Sequence, residues 1–227
     1  MDLRGRVAVV TGATGGLGKM VARTFAERGA KLALLSSDQT RLDAVAQSLD
    51  LPAERYLTHA ADLRDPAAVE RAIDTVSARL GGIHVLAHLV GGWVGGKDLA
   101  STEADDLRSM LDQHVWTTFH LLRACGPKLV LGGWGRVLVV SSPVTVAPSA
   151  RSGPYAAAKA AEEALVLTLA QEVRGTGVTA NVLQVRAIQV DDSGSGGARP
   201  EEIVAAMLYL CSPEGGRVNG ARLPLVG

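Results

Sequence analysis

The stretch VAVVTGATGGLG, residues 7–18, constrains this chain more than any other. An apolar run ends at Val10 and passes through Thr11 into a turn with glycines at 12, 15, 16 and 18. Leu17, Met20, Val21, Thr24 and Phe25 then fall on one side of a helix. A strand that enters a turn almost without side chains lets the backbone approach a phosphate closely. The helix behind it supplies free N–H groups and the positive end of its dipole. The spacing is T-G-x-x-x-G-x-G on Thr11, Gly12, Gly16 and Gly18. In strand–turn–helix context it predicts a dinucleotide site on Thr11, Gly12, Thr14, Gly15, Gly16, Leu17 and Gly18. A tight packing turn without a ligand is the alternative.

The rest of the chain continues the alternation. Apolar runs at 6–10, 31–36, 56–60, 85–90, 136–141, 179–185 and 221–225 read as strands. Helical patterns lie at 16–28, 40–49, 66–80, within 105–130, and at 154–174 and 200–211. Strands that are apolar on both faces and separated by helices predict a doubly wound, seven-stranded parallel sheet, a Rossmann fold. The 227 residues suit one such domain over 1–227, with no internal repeat. The glycine- and serine-rich stretch 191–199 predicts a short flexible loop.

Composition narrows the function classes. Lys plus Arg and Asp plus Glu both number 23, so net charge argues for neither nucleic acid nor an anionic membrane as partner. No apolar run reaches the ~18 residues of a membrane span. The N-terminus lacks a secretory pattern and the two cysteines lack metal-ligand spacing, so a cytoplasmic, reduced setting with no bound metal is expected. A small-molecule substrate is the expected partner.

Tyr155 and Lys159 stand four apart on the 154–174 helix, hence on one face. A phenol titrates near ~10, and a neighbouring ammonium lowers that toward the range useful for proton transfer. Ser142 adds a hydroxyl that can hold a substrate oxygen. Together with the glycine turn, these residues resemble the short-chain dehydrogenase/reductase family over nearly the whole chain. Tyr155-Ala-Ala-Ala-Lys159 matches its Tyr-x-x-x-Lys signature, and Ser142 has the offset of its catalytic serine. The resemblance implies that Tyr155 exchanges a proton with the substrate oxygen. It also implies that Lys159 holds the nicotinamide ribose and tunes Tyr155, and that Ser142 orients the substrate. Asp62 and Leu63, Val90 and Gly91, Tyr155, Lys159 and Ile188 are implied as further cofactor contacts. A homodimer or homotetramer is implied through pairing of the long helices.

The chain also departs from that family. His88-Leu89-Val90-Gly91 replaces Asn-Asn-Ala-Gly, His114 stands where the catalytic Asn falls, and Val185-Arg186 replaces Pro-Gly. His114 has two readings: an imidazole that holds a water or relays a proton near Lys159, or a residue merely tolerated in its helix. Gly91–Gly96 with Trp93, and Val115-Trp116-Thr117, resemble stretches of dihydropteridine-reductase-like bacterial reductases. Trp93 reads either as a wall of the substrate pocket or as an aromatic capping the sheet. The expected function is hydride transfer between NAD(P) and a small carbonyl, alcohol or quinonoid compound. The alternative is an NAD(P)-binding sensor or assembly protein without turnover. The strand at 31–36 ends without the acid that would bind the NAD ribose. Ser36, Ser37 and Arg41 therefore favour NADP, with NAD possible through Asp38.

Overall fold

The computed structural model describes residues 1–189 and 197–225. Among these residues seven strands form one parallel sheet in the order β3-β2-β1-β4-β5-β6-β7. These are β1 (Val7–Thr11), β2 (Lys31–Ser36), β3 (Tyr56–Ala60), β4 (Val85–His88), β5 (Gly135–Ser141), β6 (Val178–Val185) and β7 (Arg222–Leu225). The expected doubly wound α/β architecture is the one observed.

Side chains alternate across the sheet, and that alternation builds two cores. Ala8 and Val10 of β1 face a core filled from α1 (Gly16–Glu27), α2 (Gln39–Ser48) and α7 (Pro200–Cys211) by Phe25, Leu42 and Met207. Val7 and Val9 face the other, filled from α3 (Pro66–Leu80), α5 (Thr117–Leu131) and α6 (Gly153–Glu172) by Ile73, Leu121 and Val166. Strands covered on both faces are buried throughout, as β1 and β6 are.

The chain passes from β1 outward to β2 and β3, then returns to place β4 on the other side of β1. The crevice at the carboxyl ends of β1 and β4 is therefore the topological switch point. Strand β4 ends at His88, two residues earlier than the apolar run predicts, because Leu89 and Val90 pass over Gly12.

The helix expected within 105–130 is interrupted. It runs as α4 (Ala104–Met110), a π-helical turn at Leu111–Trp116, and α5. The widened turn leaves carbonyls in need of donors, and the Thr117 hydroxyl donates to Gln113 O at 2.7 Å. Most of the expected loop 191–199 lies outside the described residues. On its near and far sides, Ile188 and Ala198 form a parallel bridge. Among the described residues, no helix is long and apolar enough to cross a membrane.

Candidate active site

At the switch point the glycines divide into two kinds. Gly12 has φ +69°, and a Cβ there would stand 3.1 Å from the Leu89 carbonyl. A Cβ on Gly18 would fall 2.2 Å from Gly12 O, so these two glycines let the chain close on itself. Gly16 is different, with nothing within 4 Å of its Cβ position. The N-cap of α1 makes no side-chain cap bond and its first turn holds no acid, so the free N–H groups meet no competing charge.

They open on a cleft of about 840 Å³. Its walls include Gly12, Thr14, Gly15, Ser36, Ser37, Arg41, Asp62, Leu63, Val90 and Gly91, all expected from the sequence. The volume and the bare, positively polarised turn fit a dinucleotide. Thr11, Leu17 and Gly18 are buried beneath the turn rather than on the cleft wall. Ile188 sits beyond β6, 39% exposed, and is not on that wall.

The end of the cleft beside β2 is polar. Ser36 and Thr14 hydroxyls lie 3.2 Å apart. The Asp38 carboxylate caps α2 by accepting the Arg41 N–H at 3.0 Å, so it is engaged away from a ribose. The Arg41 guanidinium reaches back to Thr14 O at 3.4 Å. Asp62 accepts from the backbone and guanidinium of Arg64, which holds its carboxyl below the usual range.

Ser142 follows the last residue of β5, and Tyr155 lies in the first turn of α6, where Pro154 tolerates the missing donor. The Ser142 hydroxyl accepts the Val144 N–H at 3.4 Å and lies close enough to the phenol to favour its ionised form. Lys159, one turn further along α6, is 3% exposed. Its ammonium donates to Val140 O at 2.9 Å and to Glu162 at 2.7 Å. Burial dominates and pushes Tyr155 up, Ser142 opposes it, and the Glu162 charge adds to the rise.

His114 lies in the π-helical turn, fully buried, with its ring 5.6 Å from that of Tyr155 and edge-on to it. Its Nε2 donates to Gly92 O at 3.0 Å, since a carbonyl only accepts. Burial and the Lys159 charge push its pKa down to about 4, so the ring is neutral near pH 7. Trp93 is 62% exposed and lies over Gly95, whose Cβ position is 2.6 Å from the indole. It rests on its own loop, which Gly96 ties to Arg151 O at 2.9 Å.

Sequence reasoning missed the buried carboxylates of Glu162 and Glu163 and the imidazole of His88 bonded to Thr11. The first left a signal: two adjacent acids, three and four residues after Lys159, in a helix otherwise rich in alanine and leucine. Such side chains are rarely buried without a partner.

A phosphate-suited turn at the switch point, with Ser142 and Tyr155 near one another and buried Lys159 one helical turn on, none of them on the cleft wall itself, fits a nucleotide-dependent redox enzyme of the doubly wound class. The sequence model described as short chain dehydrogenase matches residues 6–195. The chain is 30% identical to a short-chain type dehydrogenase/reductase of Picea abies, across 96% of this chain and 89% of the relative. It is 26% identical to the 3-oxoacyl-[acyl-carrier-protein] reductase FabG of Salmonella typhimurium, across 100% and 98%. A short-chain type dehydrogenase/reductase structure from Mycobacterium ulcerans superposes with TM-score 0.92 at 22% identity, over 99% of this chain and 90% of the other, a likeness of fold. The chain belongs to the short-chain dehydrogenase/reductase family and is an NAD(P)-dependent oxidoreductase.

Proposed function

We propose that this enzyme reduces a small carbonyl or quinonoid compound with Tyr155 as the proton donor, using NADP(H) in preference to NAD(H). The observation that carries the reading is the convergence of Ser142, from the end of β5, on Tyr155, one helical turn before buried Lys159.

In the direction of reduction, the phenolic O–H bond of Tyr155 breaks and its proton passes to the substrate oxygen. The Ser142 hydroxyl donates to that same oxygen and fixes its position. Lys159, anchored by Val140 O and Glu162, holds the nicotinamide ribose. The bound dinucleotide supplies the hydride. Gly12, Thr14 and Gly15 would hold its pyrophosphate, with Gly16, Leu17 and Gly18 forming the helix start behind them, and Leu63, Val90 and Gly91 would line the rest of its path. Asp62 is held back by Arg64, so the adenine contact is weaker than resemblance implies. Ile188 lies off the cleft wall, beyond the end of β6.

The preference for NADP(H) is supported by Ser36, Ser37 and Arg41 on the cleft wall and by the capping role of Asp38. An anion there meets a guanidinium and two hydroxyls, with the nearest second-strand carboxylate engaged elsewhere. The exposed face of Trp93 suits a planar substrate. Exposed Trp116, Phe119 and Leu107 on the α4–α5 face support a homodimer or homotetramer.

The test is a panel of carbonyls, quinones and quinonoid pterins with NADPH and NADH, run beside Tyr155→Phe. Turnover with at least one compound, lost in the variant, is expected. Undiminished turnover in Tyr155→Phe removes the tyrosine from the mechanism. Tight dinucleotide binding with no turnover across the panel favours the sensor alternative.

A further inference from the structure

The ion pair behind Tyr155 has no place in the proton step described above. Glu162 lies three residues after Lys159 on α6, and both side chains are turned inward. The Lys159 ammonium and a Glu162 carboxylate oxygen are 2.7 Å apart, with the side chains 4% and 0% exposed. The other Glu162 oxygen accepts the Thr118 hydroxyl at 3.1 Å. So short a contact in so dry a place means that neighbouring groups feel a nearly neutral pair, not a lone cation.

We propose that Glu162 is a positioning residue of this site: its carboxylate offsets the Lys159 ammonium, keeps Tyr155 as a phenol, and biases the site toward giving a proton rather than taking one. The bias rests on Tyr155 being the acid–base group of the proposed function. The electrostatic coupling does not.

The surrounding groups leave this task to Glu162. His114 faces it from the π-helical turn, with Nδ1 4.0 Å from Glu162 and without a hydrogen-bond partner. Because Nε2 carries its proton to Gly92 O, Nδ1 presents a lone pair and no charge. His88, from β4, is also neutral, held so by burial and by Lys159. Glu163, the next residue on α6, is occupied by Arg222 from β7, Gln184 from β6 and the Thr145 hydroxyl. Among these, Glu162 alone makes a hydrogen-bonded ion pair with the Lys159 ammonium. Burial pushes its own carboxyl up, and the ammonium and the Thr118 hydroxyl oppose that rise. The same carboxylate raises the Tyr155 phenol.

The experiment reads the phenol directly and needs neither substrate nor cofactor. The chain has three tyrosines, Tyr56, Tyr155 and Tyr209. Ultraviolet difference titration of phenolate, with Tyr155→Phe subtracted, isolates the one at issue. In Glu162→Gln the Tyr155 midpoint is expected to fall by about one pH unit or more. An unchanged midpoint in a folded variant, judged by circular dichroism, overturns the proposal.

A second set covers the case in which Glu162→Gln does not fold. The double variant Lys159→Met, Glu162→Met replaces the pair by apolar side chains of similar volume. Its Tyr155 midpoint is expected within about half a unit of wild type, whereas Lys159→Met alone raises it. A rise in the double variant as large as in the single one means that Lys159 acts uncompensated, and the proposal fails. The pH–rate profile of reduction separates the two layers. A titration shift matched in that profile supports both the coupling and the role of Tyr155. A titration shift without it leaves the coupling standing and removes Tyr155 as the proton donor, and the bias with it.

Discussion

The Thr11 hydroxyl lies 2.7 Å from His88 Nδ1, joining the ends of β1 and β4 where the sheet changes winding direction. Both residues are buried, and His88 Nε2 has no partner. The bond thus holds together the two strand ends that flank the cleft. Thr11→Val keeps the shape and strands the imidazole, which is expected to cost about 1–3 kcal/mol in urea unfolding. A loss under about 0.5 kcal/mol would show that the imidazole finds another partner.

His88 also predicts a pH dependence. Burial, with the charge of Lys159 and the neighbouring His114, pushes its pKa from 6.5 down to about 3. Between those values the unfolded chain binds a proton that the folded chain refuses, so stability falls as pH falls. The contribution is complete above pH 6.5 and lost progressively toward about pH 3. His88→Asn keeps a hydrogen-bonding side chain and removes the titration. Relative to that variant, wild type is expected to lose about 2 kcal/mol between about pH 7 and about pH 5. A constant difference across that range would mean that His88 does not titrate on unfolding.

The glycine turn offers a way to separate folding from binding. Gly16 opens α1 with no steric need for glycine, so Gly16→Ala is expected to leave stability unchanged or raise it by about 0.5 kcal/mol. The added methyl meets no protein atom within 4 Å, so a loss of affinity would report a contact with the dinucleotide itself. Dinucleotide affinity, read by nicotinamide fluorescence, is expected to fall about tenfold or more. Gly18→Ala should do the opposite, losing stability first, because its Cβ meets backbone at 2.2 Å. Equal affinities for wild type and Gly16→Ala would move the pyrophosphate off this turn.

What the sequence disclosed follows from where its physics is local. Strand, turn and helix at residues 7–27 are written in consecutive residues, and so are the apolar runs that order the sheet. Tyr155 and Lys159 are readable because helical spacing is fixed. The π-helical turn is not, since nothing in LDQHVW differs in propensity from the helix around it. The Lys159–Glu162 pair was hidden for a related reason. Alanine and leucine surround it on every side of α6, so periodicity cannot say which face is buried, and an acid at helical spacing from a lysine usually marks a solvated face. The role of Asp38 depends on where α2 begins, and helix ends are the least determined part of a sequence pattern.

Asp38 bears on cofactor choice. With its carboxylate engaged at the α2 N-terminus, Arg41 and Ser37 are left to meet whatever the ribose carries. Arg41→Ala is expected to weaken NADPH binding about tenfold and leave NADH within about twofold, since one charge-assisted contact to phosphate is worth about 1.5–3 kcal/mol. Ser36→Asp should reverse the preference by placing a carboxylate against the phosphate. Equal losses for both nucleotides in Arg41→Ala would assign the arginine to the turn, through Thr14 O, rather than to the ribose.

The last prediction concerns assembly. Trp116 and Phe119 leave the long helix side by side, their rings 6.0 Å apart and edge-on, with 49% and 38% of their surfaces exposed. The Trp116 ring also lies 5.8 Å from that of His120, tilted to it, and His120 Nδ1 donates to Leu63 O on the cleft wall. Large aromatics that stay exposed while neighbours hold them rigid are suited to bury against a second copy. Trp116→Glu is expected to shift the protein toward monomer in light scattering at micromolar concentration, because a carboxylate at a closed apolar contact goes unpaired. Through His120 and Leu63, dinucleotide affinity should fall with it, by a few-fold. A wild-type monomer, or an oligomer unaffected by Trp116→Glu, would rule this face out as the contact.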